Sequence, residues 1–183
     1  MKMPPRKQAT TVFSEHPLVV LGIGSNRGDS RRIVFDALDA LEHVLMELRR
    51  ASLYQTEPLY VTNQERFINT AAAGFYNGSP AGLLSSIHEI EVRFGRDRAR
   101  EQRWGERTLD IDILLFGSLA AVFPPAADGH GLEIPHPRLA GRRFALEPLL
   151  ELLPDATEPG TGRAYRTLCE ALPPQGCMRI NSA

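Results

Sequence analysis

The segment Arg103–Phe116 reads RWGERTLDIDILLF and sets two carboxylates one residue apart inside an apolar run. The isoleucines, leucines and phenylalanine are typical of a buried strand, in which successive side chains point to opposite faces of the sheet. Asp110 and Asp112 are therefore expected on the same face, with Cβ atoms roughly 6–7 Å apart at the rise of a strand. The segment predicts a strand that presents a pair of carboxylates on one side of a sheet.

Two partly buried carboxylates at that separation repel each other, so each resists ionisation unless a cation intervenes. Mg²⁺ suits such a pair, because it usually binds one or two carboxylates together with substrate phosphates. Upstream, Arg103 and Arg107 carry forked donors that fit phosphate oxygens. These residues favour a metal-dependent phosphoryl- or nucleotidyl-transfer site. An isolated Asp-x-Asp, however, is more often a solvated pair at a sheet edge or a partner of surface arginines.

Strand and helix patterns alternate in a fixed order around this segment. In chain order they are a strand at 18–24, a helix capped by Asp29 or Ser30 with an apolar stripe from Ile33 to Leu48, strands at 51–56 and 67–76, and a helix from Pro80 that ends at Gly95. The strand with the two aspartates is the fourth strand. The order βαββαβ predicts an α/β (α+β) fold of the ferredoxin-like type, with one antiparallel sheet and two helices on a single face.

Residues 138–153 predict a C-terminal helical addition, interrupted at Pro148. A chain of 183 residues with 43% hydrophobic composition can bury one good core, which predicts a single domain over 17–183. Residues 1–16 are polar and lack the apolar stretch of a signal peptide, so a disordered N-terminal tail is expected.

Composition narrows the possible partners. No apolar run reaches membrane-spanning length, and the formal net charge of −1 argues against a general nucleic-acid binder. The two cysteines match no zinc or redox spacing and indicate a reducing compartment, so a cytoplasmic protein is expected. Gly22-Ile23-Gly24 lacks the third glycine of a dinucleotide fingerprint, and no P-loop sequence is present. Any nucleotide should therefore be held by side chains and metal.

Arginines cluster just before the aspartate pair. The cluster consists of Arg93, Arg96, Arg98, Arg100, Arg103 and Arg107, with Asp97, Glu101 and Glu106 interspersed. Such a segment is either a solvated, charge-balanced loop or a mobile loop that grips a polyphosphate. Its position directly before the carboxylates favours the second interpretation.

Six ordered motifs between Leu18 and Asp155 resemble those of the hydroxymethyl-dihydropterin pyrophosphokinases of folate biosynthesis. They are Gly24-Ser25-Asn26-x-Gly28-Asp29, Tyr54-x-Thr56-x-Pro58, Phe67-Ile68-Asn69, Gly95-Arg96-x-Arg98, Arg103-Trp104-Gly105-x-Arg107-Thr108-Leu109-Asp110-x-Asp112, and Pro135-His136-Pro137-Arg138 with Arg142 and Phe144. The resemblance implies a ferredoxin-like monomer that transfers the β,γ-pyrophosphate of ATP to the hydroxymethyl group of 6-hydroxymethyl-dihydropterin, leaving AMP.

The resemblance also implies roles for single residues. The implied catalytic residues are Arg98, Arg107, Asp110 and Asp112, with two Mg²⁺ ions bound to the two aspartates. The implied pterin contacts are Thr56, Leu59, Phe67, Asn69, Trp104 and Phe144, with the flat ring stacked between Phe67 and Phe144. The implied ATP contacts are His88, Glu91, Arg98, Arg103, Ile113, His136 and Arg142. Glu106 stands where the family usually has proline, and His88 where glutamine is frequent.

Simpler interpretations stay open for several of these residues. Considered alone, Phe67, Trp104 and Phe144 fit a hydrophobic core, and Glu91 would be exposed on its helix. The alternative class of function is a non-catalytic ferredoxin-like module that binds RNA or a regulatory small molecule. Carboxylates on a central strand would repel a nucleic-acid backbone unless metal is present, which favours the enzyme.

Overall fold

A computed structural model describes residues 16–58, 63–97, 105–124 and 131–180. The strands are β1 (Leu18–Ser25), β2 (Met46–Arg50), β3 (Leu53–Thr56), β4 (Phe67–Phe75), β5 (Asp110–Phe116), β6 (Ala121–Phe123), β7 (Leu132–Ile134) and β8 (Met178–Ile180). The helices are α1 (Ser30–Leu41), α2 (Pro80–Arg93), α3 (Arg143–Leu152) and α4 (Tyr165–Ala171), with a 3-10 turn at Leu139–Gly141. None of the helices in these ranges is long and apolar enough to cross a membrane.

The main sheet has the strand order β5-β1-β4-β3-β8, and every pairing in it is antiparallel. Its first four strands in this spatial order, with α1 and α2 in the chain order βαββαβ, form the predicted ferredoxin-like arrangement. Local chemistry sets both helix starts. The Asp29 side chain accepts from the Arg32 backbone N–H, and Ser79 accepts from Gly82 with Pro80 in the first turn.

Two predicted boundaries are wrong. Helix α1 ends at Leu41 instead of continuing to Leu48, and Met46–Arg50 forms strand β2 along β4. The apolar residues after Leu41 mimic a helical stripe because the turn at 42–45 also directs them into the core. The second error concerns α3, which continues through Pro148. This proline is buried, so tertiary packing offsets its missing hydrogen bond.

Helices cover the two faces of the sheet differently. Helices α1 and α2 pack on one face around aliphatic side chains such as Leu21, Ile87 and Ile113. On the opposite face α3 and α4 enclose a second core that contains Val20 and Leu114. This second layer covers only part of its face. The uncovered part, at one end of β1, β4 and β5, is the position of the cavity described next.

Candidate active site

A cavity of roughly 870 Å³, its open mouth included, lies on the face of the sheet that α3 partly covers. Its predicted site residues are Thr56, Phe67, Asn69, Arg107, Asp110, Asp112, His136, Arg142 and Phe144. Strands β3, β4 and β5 supply Thr56, Phe67, Asn69 and the two aspartates, whereas Arg142 and Phe144 come from the start of α3. The fold thus brings together residues from four separate parts of the chain.

Glycines on β1 form part of the cavity floor. Gly22 lies opposite Asp112 and Gly24 opposite Asp110 in the antiparallel register. On its other side Gly24 pairs with Asn69, and a Cβ on Gly24 would come within 2.8 Å of the Asn69 Oδ1. Any larger residue at this position would displace the amide. The floor is therefore open between the carboxylates of β5 and the amide of β4.

Asn69 is held in one orientation by a neighbouring strand. Its Nδ2 donates to the Thr56 Oγ1 at 2.8 Å, and both residues are buried. Phe67, two residues earlier on β4, lines the same cavity. Because a buried amide needs partners for its donors and acceptors, this pair offers a fixed polar group beside an aromatic ring. Such a combination suits a flat, hydrogen-bonding heterocycle.

Asp110 is surrounded by arginines. Arg96, which is only 7% exposed, donates to its Oδ1 at 2.6 Å, and Arg107 donates to its Oδ2. Burial alone would raise the pKa of Asp110, but the charges and hydrogen bonds of Arg107 and Arg96 hold it below its ordinary value. Arg96 also pairs with the buried Glu91, which in turn accepts the Ile111 backbone N–H at 2.9 Å. Asp110 is thus fixed and ionised.

Asp112 has a different environment. Among the described residues, its ion-pair distances are 3.6 Å to His136 Nε2 and 3.8 Å to Arg142 Nη1, both beyond hydrogen-bond distance. Burial and the negative charge of Asp110 raise the pKa of Asp112. Burial also lowers the pKa of His136, whose Nδ1 accepts the Arg138 backbone N–H at 3.1 Å. The negative charge of Asp112 is therefore only partly compensated by its neighbours, and a bound cation would stabilise the ionised carboxylate.

Asn26 joins three segments around the cavity. Its backbone N–H donates to the Arg107 carbonyl at 3.0 Å, and its Oδ1 accepts the Arg107 backbone N–H at 2.8 Å. Its Nδ2 donates to Gln64 Oε1 and to the Glu65 carbonyl. The family motifs contain Asn26 but predict no role for it, and the arginine cluster places Arg96 in a loop that grips a polyphosphate. The structure instead buries Arg96 in ion pairs with Glu91 and Asp110. Neither role has a signal in the sequence, because both depend on burial and on contacts with residues distant in the chain.

Three predicted ATP contacts lie away from this cavity. The Ile113 side chain is in the aliphatic core on the other face, and His88 borders a separate groove between α1 and α2. Glu91 is 1% exposed beneath the cavity, which corrects the expectation that it would be exposed on its helix. Leu59, Arg98, Arg103 and Trp104, and with them most of the arginine-rich loop, lie outside the described residues.

Paired carboxylates and arginines at one open end of an antiparallel ferredoxin-like sheet suit an enzyme that transfers phosphate groups, because such catalysis depends on positioning and on stabilisation of phosphate charge. The chain belongs to the 7,8-dihydro-6-hydroxymethylpterin-pyrophosphokinase (HPPK) family, whose sequence model matches residues 20–154. It therefore transfers pyrophosphate from ATP to 6-hydroxymethyl-dihydropterin in folate biosynthesis. This membership decides between the enzyme and the non-catalytic module.

Relatives cover nearly the whole chain. The 2-amino-4-hydroxy-6-hydroxymethyldihydropteridine pyrophosphokinase of Pseudomonas aeruginosa is 39% identical over 168 residues, which is 90% of this chain and 98% of that protein. A folate synthesis bifunctional protein of Arabidopsis thaliana is 37% identical over 79% of this chain, which spans only 28% of that protein. A solved triple mutant of Plasmodium falciparum HPPK-DHPS with pteroate shares the fold at a TM-score of 0.69 and 14% identity, over 87% of this chain and 44% of that one.

Proposed function

We propose that pyrophosphoryl transfer takes place in the cavity above β1 and depends on Mg²⁺ held by Asp110 and Asp112. The observation that carries this proposal is the contrast between the two carboxylates. Arginines compensate Asp110, whereas Asp112 has a raised pKa and no salt-bridge partner among the described residues closer than 3.6 Å. A divalent cation beside Asp112 would stabilise its ionised form.

The donor set fits Mg²⁺ that is bound together with a nucleotide. Among the residues that the structure describes, no group of three or more His, Cys, Asp or Glu side chains could enclose a metal by itself. Mg²⁺ commonly takes one or two carboxylates and completes its octahedron with waters and substrate phosphates. When bound, two such ions would neutralise phosphate charge and align the entering and leaving oxygens. ATP is thus expected to contribute to its own metal site.

Basic side chains would bind the triphosphate on the side away from the metal ions. Arg107 and Arg142 line the cavity, and the Arg142 Nε is a buried donor without a hydrogen-bond partner in the described part of the chain. Guanidinium groups bind phosphate oxygens with two parallel hydrogen bonds. The His136 Nε2, at the same end of the cavity, is a further donor. Arg98 and Arg103 join this set on the family resemblance.

The pterin ring would stack between Phe67 and Phe144, with Asn69 and Thr56 matching its donors and acceptors. Leu59 and Trp104 belong to this site on the resemblance. ATP contacts at His88, Glu91 and Ile113 also rest on the resemblance, with the backbone as the contact at Ile113. We further propose that residues 17–183 act as one domain, as a cytoplasmic monomer without nucleic acid or membrane. Some plant relatives are named mitochondrial.

A product assay with purified protein, ATP and 6-hydroxymethyl-dihydropterin tests the proposal. AMP is the expected nucleotide product, chelation of divalent ions should abolish its formation, and added Mg²⁺ should restore it. Calorimetry with a non-hydrolysable ATP analogue gives a second readout. Added Mg²⁺ should strengthen nucleotide binding in the wild type, and this gain in affinity should be lost in Asp112→Asn, which should bind weakly with or without Mg²⁺. Equal affinity with and without Mg²⁺ in the wild type would overturn the metal assignment.

A further inference from the structure

Helix α3 carries two cavity residues but has no cap of its own. Arg142 occupies the position before its first turn and makes no side-chain capping hydrogen bond. Phe144 follows in the first turn, and both residues line the cavity. The first backbone N–H groups of a helix have no partner within the helix, so an acceptor must come from elsewhere. Here it comes from the segment 172–177, which follows α4.

Gln175 provides the missing contacts. Its Oε1 accepts the Arg143 backbone N–H at 2.9 Å, and its Nε2 donates to the Gly141 carbonyl at 3.0 Å. These two backbone groups lie immediately before and after Arg142. One partner is a donor and the other an acceptor, which fixes the orientation of the carboxamide. A single side chain thus holds the backbone on both sides of a cavity arginine.

The same segment contacts the opposite wall of the cavity. The Arg143 Nη1 donates to the Leu172 carbonyl at 2.9 Å, which ties α3 to the start of the segment. At its other end, Gly176 packs against Glu57, the residue after Thr56. A Cβ on Gly176 would come within 2.9 Å of the Glu57 Cγ, and its φ of 59° also favours glycine. Residues 172–177 therefore join α3 to the end of β3.

We propose that Gln175 is a positioning residue for substrate binding, because it fixes the distance of Arg142 and Phe144 from Thr56 across the cavity. The inference rests on the proposed roles of Arg142 and Phe144 in binding the substrates. Gln175 lies beyond residues 20–154, which the family model matches. Its contribution is to hold the cavity walls before a ligand arrives, which lowers the ordering cost of binding.

Three variants test this proposal. Gln175→Ala removes both hydrogen bonds, and Gln175→Glu retains the acceptor for the helix N–H but not the donor. Arg179→Ala is the matched control, because Arg179 lies on β8 directly after the segment 172–177 and bonds to Ser52 and Glu151 away from the cavity. Steady-state kinetics with both substrates and amide hydrogen exchange at the start of α3 are measured for each variant, at a temperature where all are folded.

Gln175→Ala is expected to raise the KM of at least one substrate, with a smaller change in kcat. The expected rise is roughly three- to tenfold, which corresponds to the free energy of one lost helix cap. Exchange at residues 143–146 should accelerate, and Gln175→Glu should recover part of both effects. Arg179→Ala should leave both KM values within about twofold. Unchanged KM in Gln175→Ala, or an equal rise in Arg179→Ala, would overturn the inference.

Failure of the underlying function gives a different pattern. If Arg142→Ala and Phe144→Ala both leave substrate affinity unchanged, the binding roles of those residues are wrong. The positioning role of Gln175 then fails with them, even where hydrogen exchange in Gln175→Ala still accelerates. Accelerated exchange with normal KM, while Arg142→Ala and Phe144→Ala do weaken binding, would instead contradict the Gln175 inference alone.

Discussion

The two faces of the sheet differ in chemistry along a single strand. On β5, Ile111 and Ile113 enter a dry aliphatic core under α1 and α2, whereas Asp110 and Asp112 face the cavity on the other side. Burial of the first pair stabilises the fold through the hydrophobic effect. The second pair is only partly buried, with side chains 21% and 38% exposed, and this partial burial is unfavourable because charged groups lose hydration. One face of the sheet therefore stabilises the fold, and the other carries the charged groups of the site.

The largest effect on activity is expected from a substitution on the face of the sheet that lines the cavity. Asp112→Asn should abolish turnover, because the variant loses the charge that would hold Mg²⁺. Its free energy of unfolding should stay equal or rise, since burial and Asp110 already favour the neutral form of this carboxyl. Product assays and denaturant unfolding measure the two quantities. Asp36→Asn, at an exposed site on α1, is the matched control. Wild-type turnover in Asp112→Asn would contradict the metal assignment.

Arg107→Ala should lower kcat by roughly 10²–10³-fold, the scale of removing one preorganised donor from a transition state. Its fold should persist, because Arg96 still compensates Asp110. Arg107→Lys keeps the charge but not the forked geometry, so it should restore only part of the rate. Single-turnover kinetics at saturating substrate are the measurement. A normal kcat in Arg107→Ala would show that this arginine acts outside the chemical step.

The face of the sheet under α1 and α2 should show the opposite pattern, with stability lost and activity kept. Ile87→Ala removes a fully buried side chain of α2, and it should cost about 2–5 kcal/mol of unfolding free energy. Because Ile87 does not line the cavity, kcat and both KM values should remain near wild type where the variant is folded. Denaturant titration and steady-state kinetics test both statements. A selective loss of activity would break the division between the two faces.

Phe144→Ala should weaken pterin binding by roughly 1–3 kcal/mol, the range for one aromatic stacking face. The change in stability should be smaller than for Ile87→Ala, because Phe144 is only partly buried. Direct titration of the pterin in the presence of a non-hydrolysable ATP analogue and Mg²⁺ measures this loss of binding free energy. Phe144→Tyr retains the ring and should bind nearly normally. Unchanged affinity in Phe144→Ala would remove this residue from the pterin site.

The smallest effect on stability and activity is expected at the solvent-exposed surface of α1, away from the core and the cavity. Arg32 and Asp36 form an ion pair of 3.7 Å on α1, with side chains 78% and 52% exposed. Arg32→Ala should change the unfolding free energy by less than about 0.5 kcal/mol, because exposed pairs are screened by solvent. Activity should not change. A shift of more than about 1 kcal/mol, twice the expected bound, would mean that this ion pair on α1 stabilises the fold.

Local sequence patterns were sufficient for much of this fold. The alternation of β5, the Asp29 cap and the Ser79-Pro80 start all depend on residues within one turn or one strand, and the structure confirms them. The errors occurred where periodicity has two explanations. An apolar stripe beyond Leu41 fits both a longer helix and a turn followed by a strand. A proline such as Pro148 ends a helix only when tertiary packing does not offset the lost backbone hydrogen bond.

By itself, the sequence determined the class of fold, the carboxylate pair and the family motifs, because these follow from short-range spacing. Tertiary structure alone decided which partners those groups have. Arg96 reaches Asp110 across 14 positions, Asn26 meets Arg107 across 81, and Gln175 holds Arg143 across 32. Such pairings depend on how distant elements pack, and so does the difference in charge compensation between Asp110 and Asp112. Distance along the chain carries no information about these contacts, which form only when the folded elements pack against one another.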